Sequence, residues 1–182
     1  MVNPVLNASG STRMEPWLRA GTTRGVAFET AYPQSWAAEP VEGTHDASGI
    51  HIRLADGDQD KLYAYILVHA QRRAAIAQES RARWLGDALA MLRRSGLVDM
   101  GSPREVTEAD DPRTVGVEGW CGGYQGEGRV GEADLDWRLG FVARDEILFT
   151  VALYSPKRAE DLLSALRARR AFEIVRATLD AT

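Results

Sequence analysis

The sequence contains a single cysteine, Cys121, so no disulfide can form within the chain. A metal site built on two or more thiolates is excluded for the same reason. One thiol in 182 residues is typical of a reducing compartment. Residues 1–24 also lack the charged start and apolar run of a signal peptide. We therefore expect a cytoplasmic protein.

Long apolar runs and a surplus of basic charge are absent as well. The longest apolar-rich stretch, Leu62 to Ala70, is about half of the roughly 20 residues that a helix needs to cross a bilayer, so no membrane span is predicted. The net charge is −4, which argues against a nucleic-acid-binding protein. Hydrophobic residues make up 45% and charged residues 26% of the chain, the composition of an ordinary globular domain.

The chain divides into a short leader and one domain. Turn-forming residues cluster at 7–12 and again at 21–23, so residues 1–24 are predicted to form a flexible N-terminal leader. Residues 25–182 are predicted to form a single α+β domain. Strand-like alternation of apolar and polar residues, or β-rich composition, occurs at 25–32, 49–54, 61–70, 104–108, 114–124, 135–141 and 146–154.

Two amphipathic helices complete the pattern. The first is predicted over 73–95 and ends at Gly96, because glycine enters the left-handed conformation without a Cβ penalty. The second is predicted to carry Pro156 in its first turn, and its pattern allows a break near 169–171. The strands are joined mainly by turns, which predicts a mostly antiparallel sheet of about six strands flanked by helices. An exposed edge of such a sheet would permit a homodimer.

Specific residues add to this order of elements. The opening strand leads into an aromatic residue, a proline and a tryptophan, in the segment from Phe28 to Trp36. The chain ends with a strand, Phe149 to Tyr154, and a helix whose tail is Ala171 to Leu179. With a helix set midway between two groups of strands, these features resemble the superfamily of PsbP, the Ran-binding Mog-type proteins and bacterial DcrB-like proteins, over about residues 24–180.

This resemblance implies a PsbP/Mog-like α/β/α sandwich and a binding role without catalytic residues. One cytoplasmic bacterial branch looks like chaperones for type VI secretion effectors, which shield apolar effector segments. The resemblance therefore implies a protein partner, in that branch an apolar effector segment. Residues 1–24 and a glycine-rich insert around 122–131 have no counterpart in the family pattern.

The glycine-rich segment 120–131 contains the residues that most invite a chemical interpretation. It lacks the terminal Gly-Lys-Ser/Thr of a phosphate-binding loop, and no βαβ unit surrounds it. A nucleophilic Cys121 would need a nearby base, and the candidates His45, His51 and His69 lie on or beside other strands. We interpret the glycines as flexible hairpin residues and Cys121 as a buried thiol.

Metal ligands are equally sparse. His45 and Asp46 with His51 could supply nitrogen and oxygen ligands, but their spacing alone does not bring them together. The acidic residues Glu108, Asp110 and Asp111 lack the calcium-loop pattern. No catalytic residue, metal ligand or cofactor is assigned from the sequence.

Partner-binding residues are predicted in two places. Arg167, Arg169 and Arg170, with Arg158 and Arg176, make the last helix basic, a surface suited to an acidic partner. Trp120 and Tyr124 are the aromatic candidates, since exposed aromatic residues are enriched at binding hot spots.

The sequence thus favours a non-enzymatic adaptor or chaperone that binds a protein, with a secreted effector as the partner that the resemblance suggests. Two alternatives stay open. One is a small-ligand-binding domain or a thiol-dependent enzyme centred on 120–131. The other is an immunity or assembly protein with one tight partner.

Overall fold

The chain folds into strands that far outnumber its helices. The computed structural model describes residues 4–6, 12–14, 16–41, 43–54, 64–107, 117–157 and 162–182. A 3-10 turn, Ile76–Gln78, precedes the first helix. In chain order the other elements are β1 (Pro4–Leu6), β2 (Thr12–Met14), β3 (Trp17–Thr22), β4 (Phe28–Pro33), β5 (Trp36–Val41), β6 (Ala47–Leu54), β7 (Tyr65–Arg72), α1 (Arg81–Arg94), β8 (Leu97–Val98), β9 (Arg104–Val106), β10 (Trp120–Val130), β11 (Ala133–Arg144), β12 (Ile147–Pro156), α2 (Leu162–Ala177) and β13 (Asp180–Ala181).

An eight-stranded antiparallel sheet lies at the centre of the fold. Its strands run in the order β5-β6-β7-β12-β11-β10, and β8 and β9 both pair with β10 at the far edge. The central strand β12 is buried on both faces, with all residues but the last covered, which explains its nearly continuous apolar sequence. Each face of this sheet carries its own apolar core.

The helix α1 covers one face of the central sheet. Ser80 caps its start, because the Ser80 hydroxyl accepts a hydrogen bond of 3.3 Å from the backbone N–H of Arg83. Trp84, Ala88 and Leu92 follow at intervals of four residues and are all buried. They pack with Leu135, Trp137, Leu139, Phe141, Leu148, Ala152 and Tyr154.

The helix α2 covers the opposite face. Ala168, Ala171, Phe172 and Val175 pack against the apolar residues of β6, β7 and β12 that point to this side. A second sheet of three strands, in the order β13-β4-β3, lies beside α2. The two are joined by hydrogen bonds, since the Thr30 hydroxyl donates to the Val175 carbonyl over 2.8 Å. The strands β1 and β2 pair with each other.

The predicted α+β class with a mostly antiparallel sheet flanked by helices is confirmed. The central sheet has eight strands, more than the about six that were predicted. Strand β5 escapes prediction because Ala-Ala-Glu-Pro has little strand propensity, yet it pairs with β6 along its whole length.

The predicted leader of residues 1–24 is longer than the structure allows. Trp17–Thr22 forms β3, which pairs with β4 at six positions, so ordered structure begins well before residue 25. Glycine and threonine at 21–23 end this strand instead of marking a loose tail. Of the turn-forming cluster at 7–12, residues 7–11 lie outside the described part of the chain.

Both helices start later than predicted. The first begins at Arg81, and the glycine after it, Gly96, has the expected left-handed conformation with φ of 95°. Pro156 is the last residue of β12 and not part of a helix. The described part of α2 runs without a break through 169–171. The acidic residues Glu108, Asp110 and Asp111 and the predicted partner residue Arg158 lie outside the described part of the chain.

The glycine-rich segment is a strand and not a flexible hairpin. Residues 120–130 form β10, one of the longest strands in the sheet, and they pair with β11 along nearly their whole length. Gly126 lies opposite Trp137 in this register. The indole of Trp137 fills the space that a side chain at position 126 would take. This position of the strand therefore requires glycine.

Candidate binding surfaces

Trp120 and Tyr124, the two predicted aromatic partner residues, lie on opposite faces of the central sheet. At the start of the β10–β11 pair, β10 advances by three residues while β11 advances by two. Gly122 stands at this bulge with φ of 106°. The extra residue reverses the alternation, so Trp120 faces α2 whereas Tyr124 packs edge-on against Phe141, with ring centroids 6.3 Å apart. They do not form one surface.

Trp120 is part of the packing between β10 and α2. The guanidinium carbon of Arg176 lies 4.7 Å from the centre of the Trp120 ring and 5.4 Å from that of Phe172. Arg176 is only 1% exposed. Arg176 and Phe172 are therefore interior residues, whereas Trp120, which packs against them, is only partly buried.

Two of the predicted arginines on α2 are directed at one carboxylate. Arg170 donates a hydrogen bond of 3.3 Å to Glu173, and Arg169 lies 3.7 Å from the other oxygen of Glu173. Glu173 is buried, so both arginines are directed towards a carboxylate of their own helix. Arg167 is exposed on the outer side. The basic surface of α2 is therefore narrower than its sequence suggests.

Three leucines at the start of α2 are exposed. Leu162, Leu163 and Leu166, which we call the leucine patch, are 50%, 60% and 47% exposed. At 100° per residue they lie on the side of α2 opposite to its buried residues Ala168, Ala171, Phe172 and Val175. The sequence pattern alone gave these three leucines no separate role. The phase difference between the two groups is the signal that separates them.

A cavity of about 500 Å³ opens beside the leucine patch, where α2 meets β10, β11 and β12. Leu166 and Arg169 line it from the helix. The charged residues around it are three arginines and two carboxylates, so its lining is net positive. These residues are Arg104, Arg138, Arg169, Glu127 and Asp136.

A larger cavity lies on the other face of the sheet. This α1 groove has a volume of about 710 Å³ and is enclosed by α1 and by β6, β7 and β12. Its rim holds a compact ion-pair network around Arg73, whose guanidinium donates to Glu79 over 2.6 Å and to Asp87 over 2.7 Å. Trp84 donates its indole N–H to Glu79 over 2.7 Å. Burial acts to raise the pKa of Glu79, but the hydrogen bonds from Arg73 and Trp84 outweigh it and hold the pKa below its usual value.

The thiol of Cys121 lies far from the two strand histidines, His51 and His69. Its Sγ donates to the backbone carbonyl of Gly119 over 3.2 Å. His51 and His69 are on β6 and β7, and two whole strands, β12 and β11, separate β7 from β10. At about 4.8 Å between neighbouring strands, this distance is too long for a thiol–imidazole pair.

Metal ligands do not converge in the part of the chain that the structure describes, which contains no group of three histidine, cysteine, aspartate or glutamate side chains able to hold an ion. His45 lies 2.9 Å from its neighbour Asp46, and both side chains are exposed. Among the described helices, none is both long and apolar enough to cross a membrane.

Sequence comparisons find no relative, whereas comparisons of structure do. No family model matches the chain, and no curated protein matches it. The Ran-binding protein Mog1p of Saccharomyces cerevisiae is similar with a TM-score of 0.53 at 8% identity, over 92% of this chain and 96% of Mog1p. Cyanobacterial PsbP (CyanoP) from Synechocystis sp. PCC 6803 gives 0.51 at 15% identity, over 97% and 99%.

A third similar structure, from Bacteroides thetaiotaomicron, gives a TM-score of 0.49 at 15% identity. The present chain spans only 45% of its length. At these identities the likeness shows a shared fold and nothing further. The predicted resemblance to PsbP and the Mog-type proteins is confirmed at that level.

Proposed function

We propose that the protein is a non-enzymatic adaptor or chaperone that binds an apolar segment of a protein partner on the leucine patch. The patch itself is the observation that carries the proposal. Leu162, Leu163 and Leu166 present about half of their surface to solvent on one side of one helix. Contiguous exposed apolar surface on a folded domain marks a site of interaction.

Positive charge beside the leucine patch favours a partner segment that carries acidic residues. The cavity next to Leu166 has a net positive lining, and Arg167 is exposed beside the patch. An apolar segment with acidic residues at its end would bury its side chains on the leucines and place its carboxylates near the arginines. Such rim charges contribute more to the choice of partner and to the association rate than to affinity.

The fold supports a binding role. Mog1p, which shares it, is a Ran-binding protein by name, so this arrangement of sheet and helices can serve protein recognition. In its finer form the proposal makes the partner a secreted effector of a type VI system, held through its apolar segment in the cytoplasm. The exposed leucines suit that role because a chaperone must offer apolar surface to an apolar segment that would otherwise be exposed to solvent.

The test is a double variant, Leu163→Glu with Leu166→Glu, compared with Val98→Glu. Val98 is an exposed apolar residue of β8, at the edge of the central sheet beside β10, and controls for the effect of adding a carboxylate. Tagged protein would recover its partner from the native host, and peptides spanning the partner's apolar segments would then be titrated by fluorescence anisotropy.

We expect the double variant to weaken binding of one apolar peptide at least tenfold, while Val98→Glu binds like the parent. Circular dichroism would show that both variants fold. Full binding by the double variant would overturn the proposal, and so would a partner whose apolar peptides all fail to bind. A single tight partner recognised only through a folded domain would point instead to an immunity or assembly protein.

A further inference from the structure

The floor of the α1 groove is a row of side chains across three neighbouring strands. His69 of β7 lies in register with Gly49 of β6 on one side and with Thr150 of β12 on the other. Leu67 and Leu148 belong to the core beneath α1, and they stand two residues from His69 and Thr150 on their strands. Alternation therefore directs His69 and Thr150 towards α1 as well. Gly49 adds no side chain, which leaves the floor open beside the imidazole.

One stripe of α1 forms the opposite wall. Arg83, Asp87, Ala90, Met91 and Arg94 all line the groove, at spacings that bring them to one side of the helix. The volume of about 710 Å³ falls in the range of small-molecule sites, roughly 300–1,000 Å³. The groove is thus large enough for a ligand and has a defined polar floor and a charged wall.

The charged side chains that line the groove have a net charge of +1. Arg73, Arg83 and Arg94 face two carboxylates, Glu79 and Asp87. Both carboxylates bind Arg73, and Glu79 also lies 3.5 Å from Arg83. Arg94 has no ion pair with any residue that the structure describes, so the net positive charge of the groove belongs to Arg94.

The polar side chains of the floor, His69 and Thr150, can donate hydrogen bonds to a ligand. Burial lowers the pKa of His69, and the positive charges of Arg73 and Arg94 lower it further. Thr150 is 7% exposed, and its side chain makes no hydrogen bond to the described part of the chain. A neutral imidazole and a buried hydroxyl can each donate one hydrogen bond into the groove.

We infer that the α1 groove is a binding site for a ligand with an anionic oxygen group, a carboxylate or a phosphate. Its oxygens accept hydrogen bonds from His69 and Thr150, and Arg94 balances its charge. The apolar side chains of Met91 and Leu67 contact the rest of the ligand. Nothing in this site overlaps with the leucine patch, which lies on the other face of the central sheet.

The experiment uses the full chain and two probes, inorganic phosphate and succinate, titrated by isothermal calorimetry in chloride buffer. Arg94→Gln and Thr150→Val remove the charge and the hydroxyl. Arg93→Gln is the matched control, because Arg93 is the exposed neighbour of Arg94 on the same helix and does not line the groove. Nitrogen-15 spectra of the histidine rings report whether His69 is at the site.

We expect at least one probe to bind and to shift the His69 resonances. Arg94→Gln and Thr150→Val should each weaken that binding at least tenfold, and Arg93→Gln less than twofold. Binding of phosphate alone assigns a phosphorylated ligand, and binding of succinate assigns a carboxylate.

Equal losses in Arg93→Gln and Arg94→Gln would overturn the inference, and so would no binding by either probe up to about 10 mM, far weaker than ordinary ligand affinities. The double leucine variant should bind the probe normally, so that failure of this site and failure of the leucine patch are told apart.

Discussion

At the scale of single residues, the rings of two tryptophans require glycine at positions 126 and 140 of the central sheet. A Cβ on Gly126 would lie 2.5 Å from Cζ2 of Trp137, and a Cβ on Gly140 would lie 2.8 Å from Cζ3 of Trp120. Real Cβ atoms do not approach other atoms this closely. Each glycine therefore leaves the space that a tryptophan ring of the neighbouring strand occupies.

The change Gly126→Ala should lower the free energy of unfolding by about 1–3 kcal/mol, the usual result of overpacking. Trp137 cannot move aside, because it is fully buried and its indole N–H donates to the Glu127 carbonyl over 3.0 Å. Urea unfolding followed by tryptophan fluorescence measures the loss.

Gly86→Ala is the control within the same chain. Gly86 lies in α1 and a Cβ there would have no atom within 4 Å. The change should raise the free energy of unfolding by about 0.5–1 kcal/mol, since alanine loses less conformational freedom in a helix. If Gly126→Ala were as stable as the parent, the ring of Trp137 would have to be mobile and the packing described for β10 would be wrong.

The glycines also show why part of the candidate site could not be predicted. Five glycines between residues 122 and 131 indicate a loop by composition, because composition does not reveal which residue stands across the sheet. Only the register with β11 shows that Gly126 meets Trp137. The bulge at Gly122 then places Trp120 and Tyr124 on different faces, although their spacing along the chain predicts one face.

At the scale of elements, the network around Arg73 joins β7 to α1. Arg73 follows β7 directly, and its backbone N–H donates to the Glu146 carbonyl of the β11–β12 turn over 2.6 Å. Its side chain then holds Glu79, just before α1, and Asp87 within it. These ion pairs attach the start of α1 to the end of β7.

The change Glu79→Gln should lower the free energy of unfolding at pH 7 by about 1–3 kcal/mol, because two hydrogen bonds to a charged acceptor weaken. The folded-state pKa of Glu79 is below its usual value. A carboxylate of this kind stabilises the fold above its unfolded pKa of about 4.3 and ceases to do so as the pH falls through the lower folded pKa.

The difference between parent and variant should therefore shrink as the pH falls from the unfolded pKa of about 4.3 towards the lower folded pKa, because the parent then loses its charge interaction. Urea unfolding at pH 7, 5 and 3.5 measures it. Glu146→Gln is the matched control, since Glu146 is exposed and lies 3.9 Å from Arg72, and its loss should stay below about 0.5 kcal/mol. A difference independent of pH would show that the carboxylate of Glu79 contributes no charge interaction.

Elements with strong periodicity could be predicted, and elements defined by their partners could not. The run of apolar residues in β12 and the four-residue spacing in α1 identify these elements directly. Strand β5 and the strand β3 in the predicted leader have no such pattern, and each exists because a neighbouring strand offers its backbone groups. For the same reason the sequence did not reveal the α1 groove, whose floor comes from three strands far apart in the chain.

At the scale of the whole molecule, the two sheets bury the C-terminal half of α2 but leave one side of its N-terminal half exposed. The C-terminal half, from Ala171 to Arg176, is buried on every side between the central sheet and the smaller sheet β13-β4-β3. The half that begins at Leu162 has its outer side exposed. The smaller sheet thus does two things: it closes the core over the end of α2, and it stops short of the leucine patch.

The boundary of the domain follows from this arrangement, and truncation tests it. A chain that starts at Pro16 keeps β3, whereas a chain that starts at Gly25 loses it. We expect the shorter chain to have a free energy of unfolding lower by several kcal/mol, because β4 loses its ladder of hydrogen bonds with β3 and the Thr22 hydroxyl no longer donates to Val26 over 2.8 Å. Urea unfolding of the two chains measures the difference, and hydrogen exchange locates it.

In the shorter chain, amide exchange should accelerate first in β4, in β13 and at the end of α2, where Ala31 donates its backbone N–H to Thr178 over 2.9 Å. Exchange in β11 and β12 serves as the internal control and should change little until the chain unfolds as a whole. Equal stability of the two chains would show that the domain begins near residue 25 after all. In that case β3 would add nothing to the stability of the fold, and β4 and β13 would cover the end of α2 without it.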